Sequence, residues 1–362
     1  MSTPSPELIA AFHRLPSVTE RALTLLLNQK ILEQTFSAWT PQVLIAAGID
    51  PDRAQKIVAE LPTLDRAAAR ARLAELQISI VTILDESYPS LVREIPSPPP
   101  VLYVRGRVAA LAATMLAVVG TRQPTPYGLT ATKQLVQPVG RAGIGVVSGL
   151  ALGIDGLAHQ IALEESVPTV AVLGCGIDLI YPWQHQELAD RILAAGGAII
   201  SEFPLGAQPE RHHFPQRNRV ISGLSRAVLL VEAGEKSGAL ITAKYAVDQN
   251  REVLAVPGPI TSPQSVGPIH WIQLGAKAVH TAKDILEVFS LEQPVSLAPL
   301  RPEPTDPIQQ MILKNMTAEP LHVDVISSSC RLESSVVSAT LVLLELDGRV
   351  AHHGGMYYSL TS

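Results

Sequence analysis

Charged residues make up only 17% of this chain and aromatic residues only 4%, and both shortages narrow what it can do. Lys+Arg total 28 against Asp+Glu 33, for a formal net charge of −5. No global field therefore draws the protein to nucleic acid or to an anionic membrane, and any binding to DNA must come from a local patch. The two cysteines, Cys175 and Cys330, match neither a disulfide framework nor a zinc spacing, which fits a reducing compartment. Met1 to Arg14 lacks a basic segment followed by an apolar stretch, and no apolar run is long enough to span a bilayer. A soluble, cytoplasmic protein with no membrane partner is expected.

Nucleotide-cofactor signatures are missing too. There is no Gly-Lys dipeptide, hence no Walker A loop. Gly174-Cys175-Gly176 follows a predicted strand, but Ile177-Asp178-Leu179 stands where a dinucleotide fold needs a third glycine and a helix. No bound cofactor and no metal are expected.

What is there is a hydrophobic content of 47% in 362 residues, enough for one large domain with smaller ones beside it. Residues 1–76 are Ala/Leu-rich with helical periodicity, broken at Leu15-Pro16-Ser17 and Gly48-Ile49-Asp50-Pro51. They read as a small helical domain. Its turns before Thr19–Asn28 and Asp52–Glu60 loosely suggest a SAM or helix-hairpin-helix unit, but the glycines that would let such turns approach a DNA backbone are mostly missing, which favours a packing or docking domain. Across residues 77–290, edge-strand runs at Ile78–Leu84 and Val101–Val104 precede a regular alternation. Short β-branched runs start at Met115, Ile144, Thr169, Ala198, Ala227 and Glu252, each followed by a helical stretch. The spacing predicts an extended Rossmann-like, doubly wound, mostly parallel α/β sheet. Residues 291–304 form a proline-rich linker, since Glu292–Pro307 holds five of the 29 prolines. Residues 305–362 read as three helices and a hairpin turning at Gly354-Gly355, a winged helix.

The strand-end loops should gather at the carboxyl edge of the sheet, where open α/β folds bind ligands. Gly120-Thr121-Arg122 follows the first parallel strand and Ser148-Gly149 leads to Gly153 after the second. Lys236-Ser237-Gly238 opens a later helix. Glycine lets backbone amides approach an anion, and a helix start adds positive potential; an ordinary strand-to-helix turn needs the same small residues. The strongest local signal is Arg211 to Arg219, which holds Phe214, Arg217 and Asn218 and continues to Glu232 without an acidic residue. Arginines interleaved with an aromatic suit single-stranded nucleic acid, guanidinium groups tracking phosphates while a ring stacks on a base. Phe214 could equally be a core ring. Arg217 and Arg219, two apart, point different ways on a helix, so one of them is a candidate structural ion-pair partner. Asp155 and His159, at i and i+4, share a helix face, but no third ligand is evident and an aspartate opening a helix is commonly a cap.

In this order the blocks closely resemble the DprA/Smf family, DNA-processing proteins of natural transformation. The matching segments are Val119 to Arg122, Ser148 to Asp155 with His159, Gly174 to Asp178 with Tyr181-Pro182, Ser201-Glu202, Phe214 to Arg219, Ser237 to Ala243 and Ala255 to Gly258. The resemblance implies a non-enzymatic, dimeric Rossmann-like protein that binds single-stranded DNA, protects it and helps load the RecA recombinase. It implies that Arg122 and Arg211 contact phosphates, that Phe214 lies at the groove, and that Asp155, His159, Glu202 and Glu232 are structural or pocket residues. Gly267-Pro268-Ile269 departs from the family pattern, which bears on local or dimer geometry. The alternative is a nucleotide-sensing or nucleotide-hydrolysing protein of the same superfamily, although Glu232 to Gly238 lacks the proline-glycine-glycine loop of such hydrolases. The predicted helix Ser334–Leu346 contains no lysine or arginine, so the winged helix is expected to bind a protein or regulate rather than read DNA.

Overall fold

The computed structural model describes residues 4–33, 38–289, 306–317, 319–347 and 349–360. The chain divides into two compact units, Met1–Glu292 and Gln293–Ser362. The predicted linker, residues 291–304, lies outside the described residues.

The first unit begins with helices α1 (Pro6–His13), α2 (Glu20–Asn28), α3 (Pro41–Ala46), α4 (Pro51–Glu60) and α5 (Arg66–Glu75). Their starts are chemically marked. Thr19, Thr40, Asp50 and Asp65 each accept a backbone N–H from the first turn that follows, satisfying donors that a helix leaves unpaired. The helical segment packs against the sheet. Phe12, Leu23 and Leu44 share one apolar cluster with Val101 and Tyr103 of the sheet, and with Ile177 and Leu205 from loops beside it. His13 Nδ1 lies 3.1 Å from the Tyr103 hydroxyl in that interior.

The sheet follows as β1 (Ile78–Thr82), α6 (Ser90–Arg93), β2 (Val101–Gly106), β3 (Met115–Val119), α7 (Pro126–Arg141), β4 (Gly145–Ser148), α8 (Ile154–Glu164), β5 (Thr169–Leu173), α9 (Gln186–Ala194) and β6 (Ala198–Ser201). It is completed by α10 (His213–Gly223), β7 (Ala227–Leu230), α11 (Ala239–Asp248), β8 (Glu252–Ala255), α12 (Val266–Gln273), β9 (Lys277–Ala278) and α13 (Ala282–Val288). The nine strands are ordered β1-β2-β6-β5-β4-β3-β7-β8-β9. Only the β1–β2 and β2–β6 pairs are antiparallel, so the sheet is mostly parallel. Every residue of β3, β4, β5, β6 and β7 is buried, as unbroken apolar runs covered by helices on both faces should be. From β3 the chain steps outward through β4, β5 and β6, then returns to place β7 on the other side of β3. That reversal opens a crevice beyond the carboxyl ends of β3 and β7.

Pro268 occupies the first turn of α12, where a missing N–H costs no helical hydrogen bond. The departure from the family pattern therefore leaves this helix intact.

The second unit has α14 (Pro307–Lys314), β10 (Leu321–His322), α15 (Val323–Cys330), α16 (Ser334–Leu346), β11 (Val350–His352) and β12 (Tyr357–Leu360). Its three strands are ordered β10-β12-β11, and Ile312, Ile326, Val337, Leu341 and Leu344 form its core. Gly354 and Gly355 turn the hairpin with φ of +82° and +57°. Three helices and this wing make a winged helix.

Candidate nucleic-acid interface

The crevice at the strand reversal is a cleft of ≈ 840 Å³. Gly120, Thr121 and Arg122 line it from the β3 loop, and Lys236, Ser237 and Gly238 from the β7 loop. Arg211, Phe214, Arg217 and Asn218 enter from α10 and the segment before it. Four cationic side chains, Arg122, Arg211, Arg217 and Lys236, face it against two carboxylates, Asp155 and Glu235. In a chain of net charge −5 this is the local positive patch that anion binding requires.

Phe214 is half-buried in the wall, not sealed in the core. The guanidinium carbons of Arg122 and Arg217 lie 5.8 Å and 6.0 Å from its ring centre, and the Tyr181 ring lies 5.5 Å away. The cations help to orient the ring. Arg217 is itself buried: Nη1 donates to the Gly149 carbonyl at 2.9 Å and to the Val172 carbonyl, while Nε donates to Asn218 Oδ1 at 3.3 Å. Burial pulls its pKa down to about 10, with Asp155 opposing, so the side chain stays charged at neutral pH. Asn218 Nδ2 donates to the Gly238 carbonyl at 3.2 Å and ties α10 to the start of α11. The helix predicted to open at Ser237 begins at Ala239, and Ser237 Oγ accepts the Ala239 N–H at 3.3 Å.

Several expected contacts prove to be framework. Arg219 turns away from the cleft and is 6% exposed. Its Nη2 pairs with Glu202 at 2.7 Å and with Glu20 of α2 at 3.0 Å, so it is the structural ion-pair member of the arginine pair. Burial drives the Glu202 carboxyl well above the usual carboxylate range, Arg219 opposing and nearby Glu20 adding to the rise. The Ser148 hydroxyl is fully buried and donates to the Val118 carbonyl at 2.6 Å, so it cannot meet a ligand. The Gly149 N–H is likewise committed, to Asp155 Oδ2 at 3.1 Å, and a Cβ there would come within 2.6 Å of Arg217 Nη2. Gly153, at φ +83°, packs against the Thr121 and Arg122 backbone, which is how the second loop supports the first.

Asp155 and His159 do not act together. Burial raises the Asp155 carboxyl, with Arg217 opposing. His159 is fully buried with Nδ1 2.7 Å from the Thr169 hydroxyl, and burial depresses its pKa to about 3. Glu232 is 2% exposed and uses both carboxylate oxygens on Thr125, which starts α7. Among the described residues one group has metal-ligand proximity, Glu210, His212 and His213, whose ligand atoms lie within 4.8 Å of one another before and at the start of α10.

Three residues near the site were not singled out. Tyr181 lines the cleft and Trp183 a smaller hollow that shares lining residues with it, although two aromatics around a proline in so ring-poor a chain are a readable signal. Glu20 had none, because its partner Arg219 is 199 positions away.

Comparison with known proteins is consistent with this geometry. The family model of DNA recombination-mediator protein A matches residues 79–290, and that of the DprA winged helix domain matches residues 296–356. Protein Smf of Synechocystis is 39% identical over 311 residues, covering 76% of this chain and 78% of that protein. Protein Smf of Escherichia coli is 41% identical over 285 residues, covering 76% and 75%. The X-ray structure of DNA processing protein A from Streptococcus pneumoniae superposes with a TM-score of 0.69 at 31% identity, covering 79% of this chain and 98% of that one. A Helicobacter pylori DNA processing protein A structure, described for its single-stranded DNA binding mode, gives a TM-score of 0.54 at 28% identity over 60% of this chain and 97% of that one. Sheet order, winged helix and sequence agree: the chain belongs to the DprA/Smf family of DNA-processing proteins.

Proposed function

We propose that this protein is a recombination mediator that binds single-stranded DNA in the cleft, protects it and hands it to the RecA recombinase, with no chemistry of its own. The observation that carries the reading is Phe214, a half-buried ring in the wall of the positive cleft with two guanidinium groups within 6.0 Å of its centre. Exposed Arg122 and Arg211 are placed to meet phosphates, and Lys236 and Ser237 face them from across the cleft. The Helicobacter pylori relative supports single strands as the ligand. Of the buried carboxylates near the cleft, Asp155 holds the Gly149 amide and Glu232 holds Thr125, so neither is free to serve a hydrolase. Exposed Val266 and Leu274 on and beside α12 support a homodimer through this unit. No helix among the described residues is long and apolar enough to cross a membrane. We place the protein in the cytoplasm, where such DNA would meet a recombinase.

The test is a titration of labelled single-stranded and duplex DNA across salt. Arg122→Ala and Arg211→Ala should each weaken single-strand binding and lower the salt slope by about 0.7, one phosphate contact on a single strand. An affinity insensitive to salt, or unchanged in both variants, sinks the reading. The hand-over is checked by DNA-dependent ATP hydrolysis of RecA on strands coated with single-strand-binding protein, which should start sooner with this protein present and not with Arg122→Ala.

A further inference from the structure

We propose that Tyr181 and Trp183 form a second base-stacking subsite beside the cleft, taking an unpaired nucleobase of the strand that the cleft holds. The proposal rests on reading the cleft as a single-stranded DNA site.

Trp183 is 76% exposed, whereas Trp39 is 3% exposed and Trp271 packs against the core. A tryptophan left in water by a chain with only three of them is informative, because the indole is the largest apolar side chain to leave uncovered. Tyr181 beside it is 41% exposed. The two rings border a hollow of ≈ 250 Å³ that Leu152 and Gly149 also line. Arg122, Ala151, Tyr181, Phe214 and Arg217 line both this hollow and the main cleft, so the two are continuous. The Tyr181 ring, tilted 46° to Phe214 at 5.5 Å, carries the aromatic surface from one into the other.

The segment bearing these rings is braced from both ends. The His185 N–H donates to the Pro182 carbonyl at 3.0 Å, and His185 Nδ1 lies 2.8 Å from the Leu150 carbonyl. His185 also lies against Gly156 in the first turn of α8, where a Cβ would come within 2.5 Å of its ring. On the other side, Cys175 Sγ donates to the Leu179 carbonyl at 3.2 Å. Flat, exposed rings on a braced loop, next to the exposed Arg122 guanidinium suited to a phosphate, are a stacking platform for successive bases. Gln184, also lining the hollow, adds an amide able to meet a base edge. An apolar peptide would gain from the rings but not from Arg122, so a base is the better match.

The experiment uses the full-length protein and two oligonucleotides of equal length, one all-thymidine and one with an abasic sugar–phosphate backbone. Trp183→Ala should weaken binding of the base-bearing strand about tenfold, as loss of one stacked base does, and leave the salt slope unchanged. On the abasic strand the loss should vanish. Trp183→Phe should recover most of the affinity, because a smaller ring still stacks. Indole emission should be quenched when the thymidine strand binds wild type, and the quenching should be much reduced in Trp183→Phe. If Trp183→Ala binds the thymidine strand as wild type does while Arg122→Ala weakens it, the subsite is overturned and the cleft reading stands. An equal loss on both strands makes Trp183 a support for the phosphate contacts and overturns stacking. If wild type binds neither strand, the cleft reading fails and the subsite with it.

Discussion

Two arginines on one helix, two positions apart, do opposite work. A step of two residues turns an α-helix by about 200°, so Arg217 and Arg219 leave α10 on opposite faces. One meets the Gly149 and Val172 carbonyls under the cleft; the other meets Glu202 and Glu20. Arg219→Met should therefore leave Glu202 buried without a counter-charge and cost about 3–5 kcal/mol, read from urea unfolding. Glu20→Gln should cost far less, because Glu20 is half-exposed and the Arg219–Glu202 pair survives. Equal losses for the two variants would contradict the buried pair as the main term. The sequence showed that the two arginines must diverge but not which turned to the cleft wall. That choice is made by carboxylates just after β6 and at the start of α2, whose proximity is purely tertiary.

Among elements, the legible ones are those whose burial is unconditional. Strands β3 to β7 are covered on both faces and read as continuous apolar runs wherever they sit. The N-terminal helices were legible as helices, but an amphipathic stripe does not name what covers it, and here the cover is partly β2. Helix α16 presents the reverse case, an element whose surface says what it will not do. Its 13 residues carry no lysine or arginine, and Val342 and Leu343 are 49% and 53% exposed. A chain ending after Ala298 should keep its affinity for single-stranded and duplex DNA within about threefold, since α16 carries no phosphate-neutralising charge and the four Lys and Arg removed with it are outnumbered by seven Asp and Glu. A tenfold fall in duplex affinity in a filter-binding or anisotropy assay would restore this helix as a DNA reader. At the β4–α8 turn, Gly153→Ala should displace the Thr121-Arg122 backbone and weaken strand binding, with the folded state still present by circular dichroism.

At the scale of the whole molecule, burial of neutral histidines ties stability to pH. Burial holds His13 at about 4 and His159 at about 3, against about 6.5 in an unfolded chain. As pH falls below that value the unfolded state takes up the protons first. The stability these two groups support is present above about pH 6.5, and it is lost down to pH 4 for His13 and pH 3 for His159. Each can contribute a slope of up to about 1.4 kcal/mol per pH unit. Glu202, raised by burial, acts in the opposite sense, so the informative quantity is the difference between wild type and His159→Gln. That difference should grow from pH 5 to pH 7.5 in urea unfolding, and a flat difference would refute it. Glu232 has a wider consequence still. Its carboxylate grips Thr125 at the start of α7 while its carbonyl accepts the Thr121 N–H, so the loops after β3 and β7 are riveted to each other. Parting them would break all three bonds. On the function proposed above, a strand lying between them would leave as a zip does, from one end, surrendering its contacts in succession, and a filament growing along the strand would evict the protein without prying it apart.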